Sequence, residues 1–221
     1  MAMSLAFLSI LAAAIFPAVH SATESARATA MKHKARGIWV AVVSTNTERE
    51  ILDLPLLWPG DLAKAGIAFE NAEEYFTYLM SDGENKKVIT RDLELRVVPD
   101  LKPEMLTGPG MTPAKVGGAV LPENNAWHVV MVDDSMPSEI PFLILRNAKA
   151  SDIVYPKNAE QRNELIPLTN KPLSRAVVWL TRGGSVLDAR KTLFNLSRLI
   201  PVEKPGNAPE LKILPAQGGF Q

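Results

Sequence analysis

Cysteine is absent from all 221 residues, which excludes disulfides, thiol catalysis and thiolate metal sites. The compartment stays open, because a cysteine-free chain is at ease in reducing and oxidising surroundings alike. Net charge is also absent: 24 basic and 24 acidic side chains cancel, which removes the electrostatic argument for a nucleic-acid partner, so none is expected. Histidine is scarce, and His20, His33 and His128 are too far apart in sequence to form a metal-ligand motif. No Gly-x-Ser-x-Gly, no His-Glu-x-x-His and no full phosphate-binding glycine loop occurs. The chain therefore reads as a non-enzyme with no cofactor.

Charge is missing from one place in particular. Residues 1–19 carry none, and the first charged side chain is Glu24. About 20 apolar residues span a bilayer core of about 30 Å, so this run is just long enough. A secretory signal would begin with a positive n-region, and Met1-Ala2-Met3-Ser4 has neither Lys nor Arg. Beyond Pro17 the chain continues in Ala, Glu, Arg, Lys and Met, all strong helix formers. Met31, Ala35, Ile38 and Val42 recur at helical spacing. The pattern predicts one helix to about Thr47, bent at Pro17, where a backbone hydrogen bond is lost. Its length would be roughly 70 Å.

What the chain does have is proline, 17 residues in all, concentrated from Pro99 onward. That favours a loop-rich, partly β second half. Asp53-Leu54-Pro55-Leu56-Leu57-Trp58-Pro59-Gly60 ends the long helix. Phe69, Ala72, Phe76 and Leu79, flanked by Tyr75 and Met80, predict an amphipathic helix with a core-facing aromatic stripe, stopped near Asp82-Gly83. Glu73 and Glu74 are read as lying on its solvated face. Residues 99–122 read as loop. Apolar runs at 127–132, 142–145 and 176–181 predict strands. Arg182-Gly183-Gly184-Ser185, followed by Val186-Leu187, suggests a hairpin with a two-residue turn. The same four residues lack the spacing of a phosphate cradle. A short helix is expected at 193–199, and 203–221 reads as a loose tail.

Leu11-Ala12-Ala13-Ala14-Ile15-Phe16-Pro17-Ala18 and its Ala- and Arg-rich continuation resemble the N-terminal region of type IV pilins and type II secretion pseudopilins. Leu57-Trp58-Pro59, Asn124-Asn125-Ala126-Trp127, Pro141-Phe142-Leu143 and Arg182-Gly183-Gly184 are also similar to words of large bacterial pseudopilin-like proteins. The family's basic leader, cleaved glycine and Phe-Thr-Leu-x-Glu are missing, and Met1 falls just after the position of that glutamate. The expectation is a true start upstream, and a prepilin peptidase partner only if a leader exists there.

The resemblance implies an α+β fold with a pilin-like N-terminal helix packed on a small antiparallel sheet. The expected organisation is a helix at 1–50, a globular head at 51–202 with one or two further helices, and the tail. It implies a structural subunit of a type IV pilus-like or type II secretion pseudopilus filament, with no catalytic role. Its partners would be copies of itself or other pilin-like subunits, and the bacterial inner membrane, with the head in the periplasm or on an extracellular filament. Leu5, Leu8, Leu11, Ala12, Ala13, Ala14, Ile15, Phe16 and Pro17 would form the membrane or filament-core face. Some pseudopilins hold calcium in the β region, which makes Asp133 and Asp134 candidate ligands, with Asp152 further on. Their spacing completes no calcium loop, and solvated turn carboxylates account for them better. The competing expectation is a secreted periplasmic protein, a binding module or enzyme, released by cleavage near Ser21.

Overall fold

The computed structural model describes residues 2–81, 97–153, 160, 163–169, 171–190, 193–195, 199 and 211–217, with only the backbone described at 2–18 and 194. Helix α1 covers Ala2–Ile51 and passes Pro17 without interruption. At about 1.5 Å per residue it is about 75 Å long. From Glu24 onward, one stripe turns inward: Glu24, Ala28, Met31, Ala35, Ile38, Val42, Asn46 and Arg49 are all buried. The steps of four and three residues put them on a single face. The expected helix is present, and it runs one turn past Thr47.

Its end is built by the backbone. Leu54 N–H donates to Arg49 O (2.9 Å) and Asp53 N–H to Glu50 O (3.2 Å), while Asp53 takes φ 54°. This is the paired bonding of a Schellman cap, with aspartate at the left-handed position. Arg49 closes the corner by donating to Pro55 O at 2.6 Å.

Two short helices follow, α2 (Pro59–Lys64) and α3 (Ala72–Met80). Asn71 caps α3 by accepting from Glu74 N–H at 2.9 Å. The aromatic stripe is core, as its spacing implied: Phe69, Ala72, Tyr75, Phe76, Leu79 and Met80 are buried. Asp82 and Gly83 lie outside the described residues. Glu74 is exposed, but Glu73 is buried, which corrects the reading of both as solvated. After the single turn α4 (Pro103–Leu106) the chain enters its sheet.

The strands are β1 (Trp127–Val130), β2 (Pro141–Leu145), β3 (Leu165–Pro167), β4 (Val177–Thr181), β5 (Val186–Ala189), β6 (Leu193–Asn195) and β7 (Ile213–Leu214). Five of them form an antiparallel sheet in the order β5-β4-β2-β1-β7, and β3 pairs with β6. Every residue of β2 and β4 is buried. Successive side chains point to opposite faces, so both faces of these central strands are covered. Helix α1 packs along β4 and β5. Trp58 and Tyr75 meet Phe142 of β2 edge-on, with centroids 5.2 and 6.3 Å apart. The fold is α+β: one long helix laid against an antiparallel sheet, with a few further helices.

Three local expectations are corrected. The β4–β5 turn closes on Thr181 and Ser185 and so encloses three residues, 182–184, not two: Gly184 N–H donates to Thr181 O and Thr181 N–H to Ser185 O, each at 2.9 Å, with Gly184 at φ 85°. That is a type I turn followed by a left-handed bulge residue. Residues 193–195 form strand β6 rather than the start of a helix, because β3 offers them a partner; 196–198 lie outside the described residues. The tail is not loose where it is described, since β7 adds to the edge of β1, Val129 facing Leu214 and Val130 facing Ile213. Residues 203–210 and 218–221 lie outside the described residues.

Candidate functional site

The candidate surface is the long helix and the bonds by which the head grips it. The residues expected to form the membrane or filament-core face, Leu5 to Pro17, occupy consecutive turns of the α1 backbone, and their side chains lie outside the described residues. Val19, His20, Ser21, Ala22 and Thr23 are exposed. Among described side chains, contact with the head begins at Glu24. Its carboxylate accepts from the backbone N–H and the hydroxyl of Ser174, both at 3.2 Å, and pairs with Arg27 at 3.1 Å. Among the described residues, no helix is long and apolar enough to cross a membrane. Of the uncharged run 1–19, Val19 alone has a described side chain.

Further along α1, side chains that face away from the core stripe hold the β4–β5 hairpin. Lys32 pairs with Asp188 at 2.8 Å, and Arg190 pairs with the same carboxylate at 2.9 Å and donates to the Ser25 hydroxyl. Burial alone would raise the Asp188 carboxyl, but these two cations hold it below the usual range. The Trp39 indole N–H donates to Arg182 O at 2.8 Å. The Arg36 guanidinium stacks over that indole, 4.6 Å from its centroid, and donates to Gly184 O. Arg182-Gly183-Gly184-Ser185 is thus a helix-docking turn, with the carbonyls of Arg182 and Gly184 engaged by α1. Lys34 reaches the other flank, donating to the carbonyl (2.8 Å) and hydroxyl (2.9 Å) of Thr107; desolvation lowers its pKa from the ordinary lysine value.

Asp133 and Asp134 do come together with a third carboxylate, Asp61, but with cations between them. Lys64 lies 2.9 Å from Asp133 and 3.5 Å from Asp61, and Arg182 lies 3.1 Å from Asp134. Asp133 also accepts from the N–H and hydroxyl of Ser135, at 2.9 and 2.6 Å, and Asp61 accepts from Asp134 N–H. Burial works to raise the Asp133 carboxyl; Ser135 and Lys64 together outweigh it and lower the value. Among the described residues no group of three or more His, Asp or Glu side chains is placed to hold a metal ion. Asp152 accepts from the Ser151 hydroxyl, well separated in sequence from the other three.

A second polar node was not legible in the sequence. His128 on β1 is buried; its Nδ1 accepts from Ala216 N–H (2.8 Å), so Nε2 carries the proton and donates to Ala148 O (2.9 Å). Glu73 accepts from Gln217 N–H at 3.0 and 3.1 Å and from Asn125 Nδ2 at 3.0 Å. Arg146 donates to Gln217 O at 3.1 Å. Desolvation, and secondarily the charge of Arg146, lower the His128 pKa from 6.5 to about 4, against the pull of the Ala148 carbonyl.

A pH dependence follows. The unfolded chain takes up this proton near 6.5 and the folded chain only near 4. Between those values the unfolded state binds more protons, so stability is full above pH 6.5 and falls as pH drops towards 4. The loss is about 3 kcal/mol, levelling off below pH 4. Urea midpoints of wild type and His128→Asn across pH 7.5 to 4 measure it as the difference in slope between the two proteins.

Comparison with known proteins found no matching family model, no matching curated protein and no matching solved structure.

Proposed function

We propose that this chain is a structural subunit of a pilin-like filament, a type IV pilus or a type II secretion pseudopilus. The observation that carries the reading is the division of α1. One unbroken helix spans Ala2–Ile51, and among its described side chains, which begin at Val19, the buried stripe that binds it to the head starts at Glu24. Ahead of that stripe lies the uncharged run 1–19, which has the length and apolarity to sit in the inner membrane before assembly.

The role is mechanical rather than catalytic. On assembly the apolar part of the helix exchanges lipid contact for contact with other subunits, and head surfaces set which subunit follows. Ala12, Ala13 and Ala14 let neighbouring helices approach closely. Pro17 supplies a point of bending or local melting. The grip of Trp39, Arg36 and Lys32 on the hairpin keeps the head in one register on its rod. The head then faces the periplasm or the exterior.

The test is expression of the protein in a bacterial host, followed by membrane fractionation. The protein is expected in the membrane pellet after a carbonate wash and in solution only with detergent. Recovery in the aqueous fraction without detergent would overturn the proposal. The second reading, a periplasmic protein released near Ser21, has one observation in its favour: a cut there precedes Glu24 and spares every contact between helix and head described above. N-terminal sequencing of the mature protein distinguishes the two, since a first residue near Ala22 fits only release.

A further inference from the structure

We propose that residues 211–217 form an acid-released clasp, in which protonation of His128 expels the Ala216 amide and frees the edge of β1. Leu214 is buried in the core, with Leu211 and Ile213 packed against it, and the rest of the hold on the segment is through its backbone. Met131 N–H donates to Lys212 O at 2.8 Å, β7 pairs with Val129 and Val130, and Ala72 N–H at the start of α3 donates to Pro215 O at 3.1 Å. Ala216 N–H then ends on His128, while Gln217 gives its N–H to Glu73 and accepts at its carbonyl from Arg146. The β ladder itself is only two residues long. Side chains from α3, β1 and the residue after β2 therefore do much of the holding.

Within that set, His128 is the one bond whose polarity inverts on protonation. The neutral ring presents a lone pair at Nδ1 to the Ala216 N–H, 2.8 Å away. An imidazolium presents N–H there instead, so two donors face each other in a buried site. The Nε2 side offers no compensation, since it already donates to Ala148 O in the neutral form. The charged groups nearest the node do not rescue the cation either. Arg146 repels it, and Glu73 is committed one residue along the same backbone, to Gln217 and to Asn125. The C-terminal segment meets the ring through uncharged Ala216, and the turn after β2 meets it through a carbonyl. The strain is relieved by moving residues 211–217, whose ladder is the shortest in the five-stranded sheet. Its departure uncovers β1 along the edge that β7 occupies, and sheet edges with unpaired backbone groups recruit further strands.

The test is amide hydrogen exchange by NMR on the whole protein, at a series of pH values from 7 to 4. Protection of the Ala216 and Gln217 amides, corrected for intrinsic rates, is expected to fall about 100-fold across this range. The amides of Val178 and Leu180 in β4 should remain protected. His128→Asn, which offers an acceptor near the Nδ1 position and cannot be charged, should abolish the pH dependence. Ring nitrogen shifts of wild-type His128 provide a second readout that needs no variant. Uptake of the ring proton with the Ala216 amide still protected overturns the clasp, as does simultaneous loss of protection throughout the sheet.

Discussion

Gly184→Ala is expected to destabilise the protein by about 2–5 kcal/mol, mostly by prising the β4–β5 hairpin from α1. Two separate costs combine. Gly184 sits at φ 85°, in the left-handed region where a side chain strains the backbone. A Cβ there would also lie 2.7 Å from Cε2 and Cζ2 of Trp39 and 2.9 Å from Nη1 of Arg36. The indole has little room to retreat, because its N–H is bonded to Arg182 O and its face is stacked by Arg36. Gly110 isolates the first cost: it has φ 76° and nothing within 4 Å of an added Cβ, so Gly110→Ala should lose only about 1 kcal/mol. Urea unfolding of the two variants gives the comparison. Equal losses would show that the helix does not bear on the turn. In a double-mutant cycle, Trp39→Ala should recover part of the Gly184→Ala penalty, since the clashing ring is gone.

The same turn shows what a sequence discloses and what it withholds. Valines on either side of Gly183-Gly184 announced a hairpin, because strand propensity and turn chemistry are both local. The docking partner was not local: Trp39 and Arg36 lie more than 140 residues earlier in the chain. The stripe Met31, Ala35, Ile38 and Val42 disclosed the helix for the same reason that it buries, namely that apolar periodicity is the physical cause of one-sided packing. Periodicity misled where pairing decided. Leu193 favours a helix by its own propensity, yet residues 193–195 pair with β3 as a strand. The segment around Ile213 and Leu214, flanked by Pro209 and Pro215, carries the composition of a loop, yet the open edge of β1 accepts it. Asp133 and Asp134 were visible as a carboxylate pair, but their cations Lys64 and Arg182 lie about 70 and 50 residues away, on α2 and at the end of β4. The uncharged, apolar run at 1–19 was the plainest signal in the chain, and it bears on the proposed role.

Glu73 and Glu74 give the sharpest case of adjacent identical residues with opposite fates, and Glu73→Ala is expected to cost about 3–5 kcal/mol. Both lie in the first turn of α3, where negative charge suits the helix dipole. Glu74 stays on the surface and completes the cap, accepting from Glu70 N–H (2.8 Å) and Asn71 Nδ2 (2.9 Å). Glu73 turns inward to meet Gln217 N–H and Asn125 Nδ2, donors that come from two other parts of the chain. Truncating it leaves the amide of fully buried Asn125 short of an acceptor, since Trp127 O is its other partner among the described residues, and removes the carboxylate that accepts from Gln217 N–H. It also removes the carboxylate that favours the charged form of Arg146, whose guanidinium burial already disfavours. Glu74→Ala removes exposed bonds that water replaces, so its loss should stay near 1 kcal/mol. Glu73→Gln should fall between the two, because its amide keeps one acceptor oxygen but turns a donor towards a site already supplied with donors. Thermal or urea unfolding of the three variants ranks them. If Glu73→Ala cost no more than Glu74→Ala, the Glu73 node would not be the structural tie that its geometry indicates, and residues 211–217 would be held by their ladder, the bonds from Ala72, Met131, His128 and Arg146, and the burial of Leu214.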